Sequence, residues 1–163
     1  MTADKCMSEV PISPARLSEL AEVISEWLHN QLSSRTLVQS VEHNKKEGRW
    51  YVRISGEDKD NSMVLFTLGQ RTLHFETYFM PSPEENKQDV FQYLLRKNSK
   101  LYGVSFAVGS EEAIYLSGQI NSEIISSDTL DWVLGTIYKA VEECFRPALR
   151  LGFASRFKNN LSD

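Results

Sequence analysis

Apolar residues recur along this chain with two different periods, and the switches between those periods mark out its elements. Leu17, Leu20, Ala21, Ile24, Leu28 and Leu32 are three or four residues apart, the spacing of one helix face. Ser13 supplies an N-cap before Pro14, which sits at the first helical position, where a missing N–H costs nothing. The pattern predicts a helix over about 14–32. The period then falls to two. Leu37, Val38 and Val41 supply a strand, and Asn44-Lys45-Lys46-Glu47-Gly48 turns it. Trp50, Val52 and Ile54 alternate with Arg49, Tyr51 and Arg53, one set facing in and the other out. A charged turn from Gly56 to Asn61 leads into Met63–Leu68, almost wholly apolar, as a central strand is. Gly69-Gln70 suits a two-residue turn with positive φ at its first position. Leu73, Phe75 and Phe79 then alternate with His74, Glu76 and Tyr78.

The helical period returns after Ser82-Pro83-Glu84-Glu85, which reads as a capping box with proline at its first helical position. Val90, Phe91, Leu94 and Leu95 form the apolar face of a helix over 83–97, and Asn98 stops it. Tyr102, Val104, Phe106 and Val108 make a strand, Gly109-Ser110-Glu111-Glu112 turns it, and Ile114, Leu116 and Ile120 return. Leu130, Val133, Leu134, Ile137, Val141 and Phe145 form a third helical stripe over about 128–145, which Pro147 breaks or kinks. The order is α-ββββ-α-ββ-α. Short turns between neighbouring strands make the sheet mostly antiparallel. The predicted fold class is α+β, with five or six strands and three helices on one sheet face.

The 163 residues suit one domain, expected over 13–158, with flexible ends at 1–12 and 159–163. A chain this long buries roughly 70% of its unfolded surface, so neither a metal nor a disulfide is needed to hold it together. The net charge of −4 opposes a polyphosphate backbone, and nucleic acid is set aside as a partner. The N-terminal residues carry no apolar run of the signal-peptide kind, and no window approaches 18 apolar residues. The expectation is a cytoplasmic protein with no integral membrane segment. Cys6 and Cys144 lack metal-ligand spacing and read as two free thiols in a reducing compartment.

The sequence presents few groups with chemistry to offer. Ser105 lies within Gly103-Val104-Ser105-Phe106-Ala107, one residue short of a nucleophile elbow, and no histidine follows it. His29, His43 and His74 show no zinc spacing. Glu57, Asp58, Asp60 and Asn61 crowd a loop without the positions of a calcium-binding loop. No catalytic residue, metal ligand or cofactor is predicted. His74 and Glu76 share one strand face, where they form either an acid–base pair or ordinary outward polar positions.

Two surfaces stand out. The polar sheet face carries Tyr51, Arg53, His74, Glu76, Tyr78, Tyr115 and Gln119, and Tyr and Arg are enriched at protein interfaces. In the C-terminal segment Phe145, Leu149, Phe153 and Phe157 recur every four residues beside Arg146, Arg150, Arg156 and Lys158. That stripe either packs on the domain's own core or docks on a partner or an anionic surface. The helix over 83–97 adds Phe91 and Leu95. The candidate partner-binding residues are therefore Tyr51, Arg53, Tyr78, Phe91, Leu95, Tyr115, Phe153 and Phe157.

Arg96-Lys97-Asn98-Ser99-Lys100-Leu101-Tyr102-Gly103 runs into Phe106-Ala107-Val108-Gly109, then Ile114-Tyr115-Leu116-Ser117-Gly118-Gln119-Ile120. Leu130 to Gly135 follows, and Phe145-Arg146-Pro147-Ala148-Leu149 precedes Leu151-Gly152-Phe153. Over about residues 15–157 this resembles the bacterial YbjN-domain family, particularly its actinobacterial members, a family also labelled a sensory-transduction regulator. The resemblance implies a fold similar to that of type III secretion chaperones, with one strand more by the pattern above. Those chaperones are small acidic dimers that bind extended segments of partner proteins. The resemblance thus implies a homodimeric, noncatalytic protein-interaction module, chaperone-like or regulatory, with a protein partner of unknown identity, and it brings no catalytic residues. Two rival readings stand beside it: an enzyme using the His74/Glu76 face, and a surface adaptor acting through the basic C-terminal segment.

Overall fold

Trp50, Val52 and Ile54 are 0%, 0% and 2% exposed, and Arg53 between them faces solvent, so the alternation in the sequence divides a sheet into a covered and an open face. The computed structural model describes residues 11–159. Residues 1–10 and 160–163 of the expected flexible ends, Cys6 among them, lie outside the described residues. Ile12 is tied to the body of the domain: its N–H donates to the Gln70 carbonyl at 3.0 Å and its side chain packs against the core.

Among the described residues the chain forms α1 (Pro14–Ser33), β1 (Val38–Asn44), β2 (Arg49–Ile54), β3 (Ser62–Leu68), β4 (Thr72–Met80), α2 (Lys87–Asn98), β5 (Val104–Val108), β6 (Ile114–Asn121), a 3₁₀ turn (Ser122–Ile124), α3 (Ser127–Gly152) and α4 (Ala154–Asn159). The expected order of elements holds. All strands join one sheet in the order β1-β2-β3-β4-β6-β5, and each neighbouring pair is antiparallel. The helix α2 carries the chain from β4 to the far edge, where β5 forms, and β6 folds back into the place between β4 and β5.

Helices α1, α2 and α3 cover one face. Val64, Phe66, Leu73, Phe75, Phe79 and Leu116 come up from the sheet, each 0% exposed. Leu20, Ile24 and Leu28 of α1 come down on them, with Val90 and Leu94 of α2 and Leu130, Val133, Ile137 and Val141 of α3. Indole N–H groups in this core find partners: Trp27 donates to Asp131 Oδ1 at 2.7 Å and Trp50 to Ser25 Oγ at 3.0 Å, joining α1 to α3 and to β2.

Four local expectations give way to tertiary contacts. Ser82-Pro83-Glu84-Glu85 does not cap α2, which starts at Lys87 after Asn86 in the left-handed region with φ 51°. The amides of Glu84 and Glu85 instead donate to the Gly152 carbonyl at the end of α3, at 2.9 and 3.1 Å, and Asn86 Nδ2 donates to the Leu151 carbonyl at 3.0 Å. The orphan carbonyls of one helix thus recruit the approach to another. Pro147 does not break α3, because Cys144, Ala148 and Gly152 are buried around it while the ring faces solvent. The β3–β4 loop spans 69–71, closed by the Gly69 N–H donating to Thr72 O at 2.9 Å, and Gly69 has no positive φ. Tyr102 stands 79% exposed ahead of β5, which begins at Val104.

Candidate protein-binding surface

Along α2, Val90 and Leu94 are one turn apart and point into the core, and their neighbours Phe91 and Leu95 are therefore rotated by about 100° toward the helix flank. Phe91 ends half-buried and Leu95 is 65% exposed. Beside them runs β5, an edge strand. Val104 and Phe106 are covered by the helix layer, but Val108, of the same parity, is 49% exposed. Phe91, Leu94, Leu95, Phe106, Ala107, Val108 and Ile114 enclose an apolar notch of about 180 Å³ between helix and strand. On the solvent side of α2 the surface continues over Lys87, Gln88, Gln92, Arg96 and Ser99.

The edge itself is partly closed. Asn98 Oδ1 accepts from the Phe106 N–H at 2.7 Å, and its Nδ2 donates to the Phe106 carbonyl at 3.1 Å. One side chain thus occupies both backbone groups that Phe106 turns away from β6, which blunts pairing by a foreign strand.

The open sheet face carries the other candidates in two groups. Tyr51, half-buried, stands opposite Glu42 and Leu65, and Arg53, exposed, stands opposite Ser40 and Met63. Across β3 from these, Tyr78 and Tyr115 are cross-strand partners whose rings meet edge to face at 5.6 Å. Burial raises the Tyr78 hydroxyl pKa, helped by Tyr115 and Glu111. Lys59 reaches over this end of the sheet. Its Nζ donates to the carbonyls of Tyr78 at 2.6 Å and Phe79 at 3.0 Å and lies 5.4 Å from the rings of both Tyr78 and Phe145. Burial brings its pKa down to about 8. The acidic loop before it is likewise tied down: Glu142 accepts from the amides of Glu57 and Asp58, and Asp58 pairs with Arg146 at 3.1 Å.

The C-terminal stripe is divided. Phe153 is 6% exposed and belongs to the core, while Phe157 is 40% exposed over a shallow cleft with Phe145 and Leu149. Arg146 and Arg156 pair with Asp58 and Glu84, so both are engaged with the domain's own carboxylates. His74 and Glu76 point from β4 toward the open face, opposite Gln119 and Ser117, and line none of the cavities described here. No cluster of metal-ligating side chains occurs among the described residues, and none of their helices is long and apolar enough to cross a membrane. The pattern reading missed Ala107 and Val108. Ala107 faces the open side with its cross-strand partner Tyr115, whereas Val108 has the inward parity and is exposed because α2 ends its cover short of it, which residue spacing does not encode.

Residues 21–150 match the YbjN family, described as "Putative bacterial sensory transduction regulator". An uncharacterized protein of Mycobacterium tuberculosis is 35% identical over 104 residues, 64% of this chain and 57% of that protein. The chain thus spans little more than half the length of the curated relatives it matches. Among solved structures, a chain of the HopA1-SchA chaperone-effector complex superposes with a TM-score of 0.56 at 11% identity, covering 83% of this chain and 99% of that one. A chain of the heterodimeric ExoU-SpcU complex from the type III secretion system of Pseudomonas aeruginosa gives 0.51 at 15% identity, covering 77% and 96%. At these identities the likeness establishes the fold.

Proposed function

Because this chain belongs to the YbjN family, we propose that it is a noncatalytic protein-interaction module, chaperone-like or regulatory, that pairs with a second copy through α2 and β5. A partner polypeptide is received on the tyrosine-bearing sheet face. The observation that carries this reading is the apolar surface formed by Leu95, 65% exposed, and Val108, 49% exposed, on either side of the notch. A helix running beside an edge strand offers a self-complementary patch, so a two-fold axis across α2 covers the same residues in both copies. Tyr51, Arg53, Tyr78 and Tyr115 lie on the opposite face and stay free in such a pair, as residues suited to gripping a polypeptide. The fold likeness agrees with this, since the neighbours were solved in complexes with protein partners, although a fold by itself carries no activity.

Light scattering after size exclusion, over about a hundredfold range of concentration, tests the pairing by mass action. The wild-type chain runs at twice its own mass when concentrated and falls toward its own mass on dilution. Leu95→Glu is monomeric throughout and unchanged in helical content. A wild-type monomer at every concentration refutes the dimer.

A further inference from the structure

A second cavity, remote from the sheet face, lies between the last turn of α2, the segment leading to β5 and the middle of α3. Its volume is about 320 Å³, at the lower end of the roughly 300–1,000 Å³ of small-molecule sites. We propose that it binds a phosphate monoester carrying a flat ring, the chemistry of a nucleoside monophosphate.

Charge is the first argument. Lys97, Lys100 and Lys139 line the cavity against one carboxylate, Glu143, which leaves two positive charges in excess on a chain whose net charge is −4. Lys139 meets Glu143 at 3.8 Å with both side chains largely exposed, and neither Lys97 nor Lys100 pairs with a carboxylate among the described residues. Basic residues in the last turn of α2 complement the helix dipole, which accounts for Lys97. It does not account for Lys139 on another helix, facing the same space. An excess of two positive charges matches a phosphate monoester, which carries about −1.5 to −2 at neutral pH.

The rim supplies the second argument. Tyr102 lines the cavity and is 79% exposed, yet its ring is not loose: Trp132 of α3 meets it edge to face at 5.6 Å. The backbone yields to this contact. Gly103 has φ 78°, and a Cβ there would come within 2.6 Å of the Trp132 ring. An exposed aromatic ring braced by a second one is a stacking platform for a base. The Thr136 hydroxyl, also in the lining, already donates to the Trp132 carbonyl at 2.8 Å, so its oxygen is left to accept from a sugar or phosphate hydroxyl. The floor is inert: Cys144 is buried, and its thiol pKa is raised by that burial.

The test is an amide-resolved NMR titration with adenosine 5′-monophosphate, adenosine and inorganic phosphate as separate probes. The nucleotide produces saturable shifts at residues 100–103, 136 and 139, inorganic phosphate binds more weakly at the lysines, and adenosine barely responds. The Lys97→Gln/Lys139→Gln double variant weakens nucleotide binding by about tenfold or more, whereas Lys45→Gln leaves it unchanged. Tyr102→Ala weakens binding of the nucleotide and not of phosphate. Thermal melts establish that the variants are folded. The proposal falls if no probe gives saturable shifts below about 5 mM, or if the double variant binds the nucleotide as well as wild type does. Phosphate binding equal to that of the nucleotide, with Tyr102→Ala silent, overturns the ring-bearing ligand. None of these readouts depends on the oligomeric state.

Discussion

Asn98→Ala isolates a single tertiary device. The wild-type side chain makes two hydrogen bonds to one residue of the edge strand, at 2.7 Å to the Phe106 N–H and 3.1 Å to its carbonyl. Phe106 is 6% exposed, so water has limited access to the groups left behind. Two bonds at about 0.5–1.5 kcal/mol each give roughly 1–3 kcal/mol, and incomplete hydration of the freed N–H and C=O moves the cost to the upper part of that range. Alanine recovers about 0.5 kcal/mol of helix propensity at the end of α2. The net expectation is a loss of about 1.5–2.5 kcal/mol, small enough to leave the chain folded. Urea unfolding measures the loss, and hydrogen exchange localises it, because the Phe106 amide points away from β6 and has Asn98 as its partner. Its protection should collapse in Asn98→Ala while that of Ala107, which points to β6, persists. Asn98→Asp keeps the acceptor and loses the donor, so it should retain part of the Phe106 protection. A stability change under about 0.5 kcal/mol together with unchanged exchange at Phe106 refutes the edge-guard reasoning.

Leu134→Ala, at a position 4% exposed on α3, should cost about 2–5 kcal/mol in chemical denaturation, and a cost below about 1 kcal/mol would mean that α3 is not core-facing there. Burial brings the Lys59 pKa down to about 8 from an ordinary value of 10.5. Between those two values the unfolded chain holds more protons than the folded one, so the Lys59 contribution makes stability rise with pH in that window, and its full penalty is present below it. The difference in urea midpoint between wild type and Lys59→Met should change across that window, and a constant difference would show that the ammonium titrates as it does in water. Ser105→Ala should leave partner binding intact and Ser105 should resist fluorophosphonate labelling, since the hydroxyl is exposed on the outer face of β5 opposite Ser117. Labelling at Ser105 would reverse the noncatalytic reading.

The periodicities of this chain were enough to determine the order of its elements and which way most of their side chains face. Trp50, Val52 and Ile54 can bury together only if the strand is half-covered, and Leu130, Val133, Leu134 and Ile137 only if a helix covers it. Such patterns are local, so they are legible one residue at a time. Tyr51, Arg53, Tyr78 and Tyr115 were legible as outward positions for the same reason, though not their separation into two groups by β3. What required the tertiary structure were contacts between residues far apart in sequence. Ser82–Glu85 has the composition of a capping box, but the Gly152 carbonyl at the end of α3, some seventy residues later, takes the amides of Glu84 and Glu85. Phe153 continues the exposed-looking stripe of Phe157 and yet is buried, because α3 runs on past Pro147 and carries it into the core. Val108 keeps the inward parity of its strand and is exposed, because the cover of α2 stops short of it. A cavity ringed by Lys97, Lys100 and Lys139 exists only once α2 is laid beside α3. Periodicity tells each side chain which way to face, and only the packing of whole elements decides what it meets there.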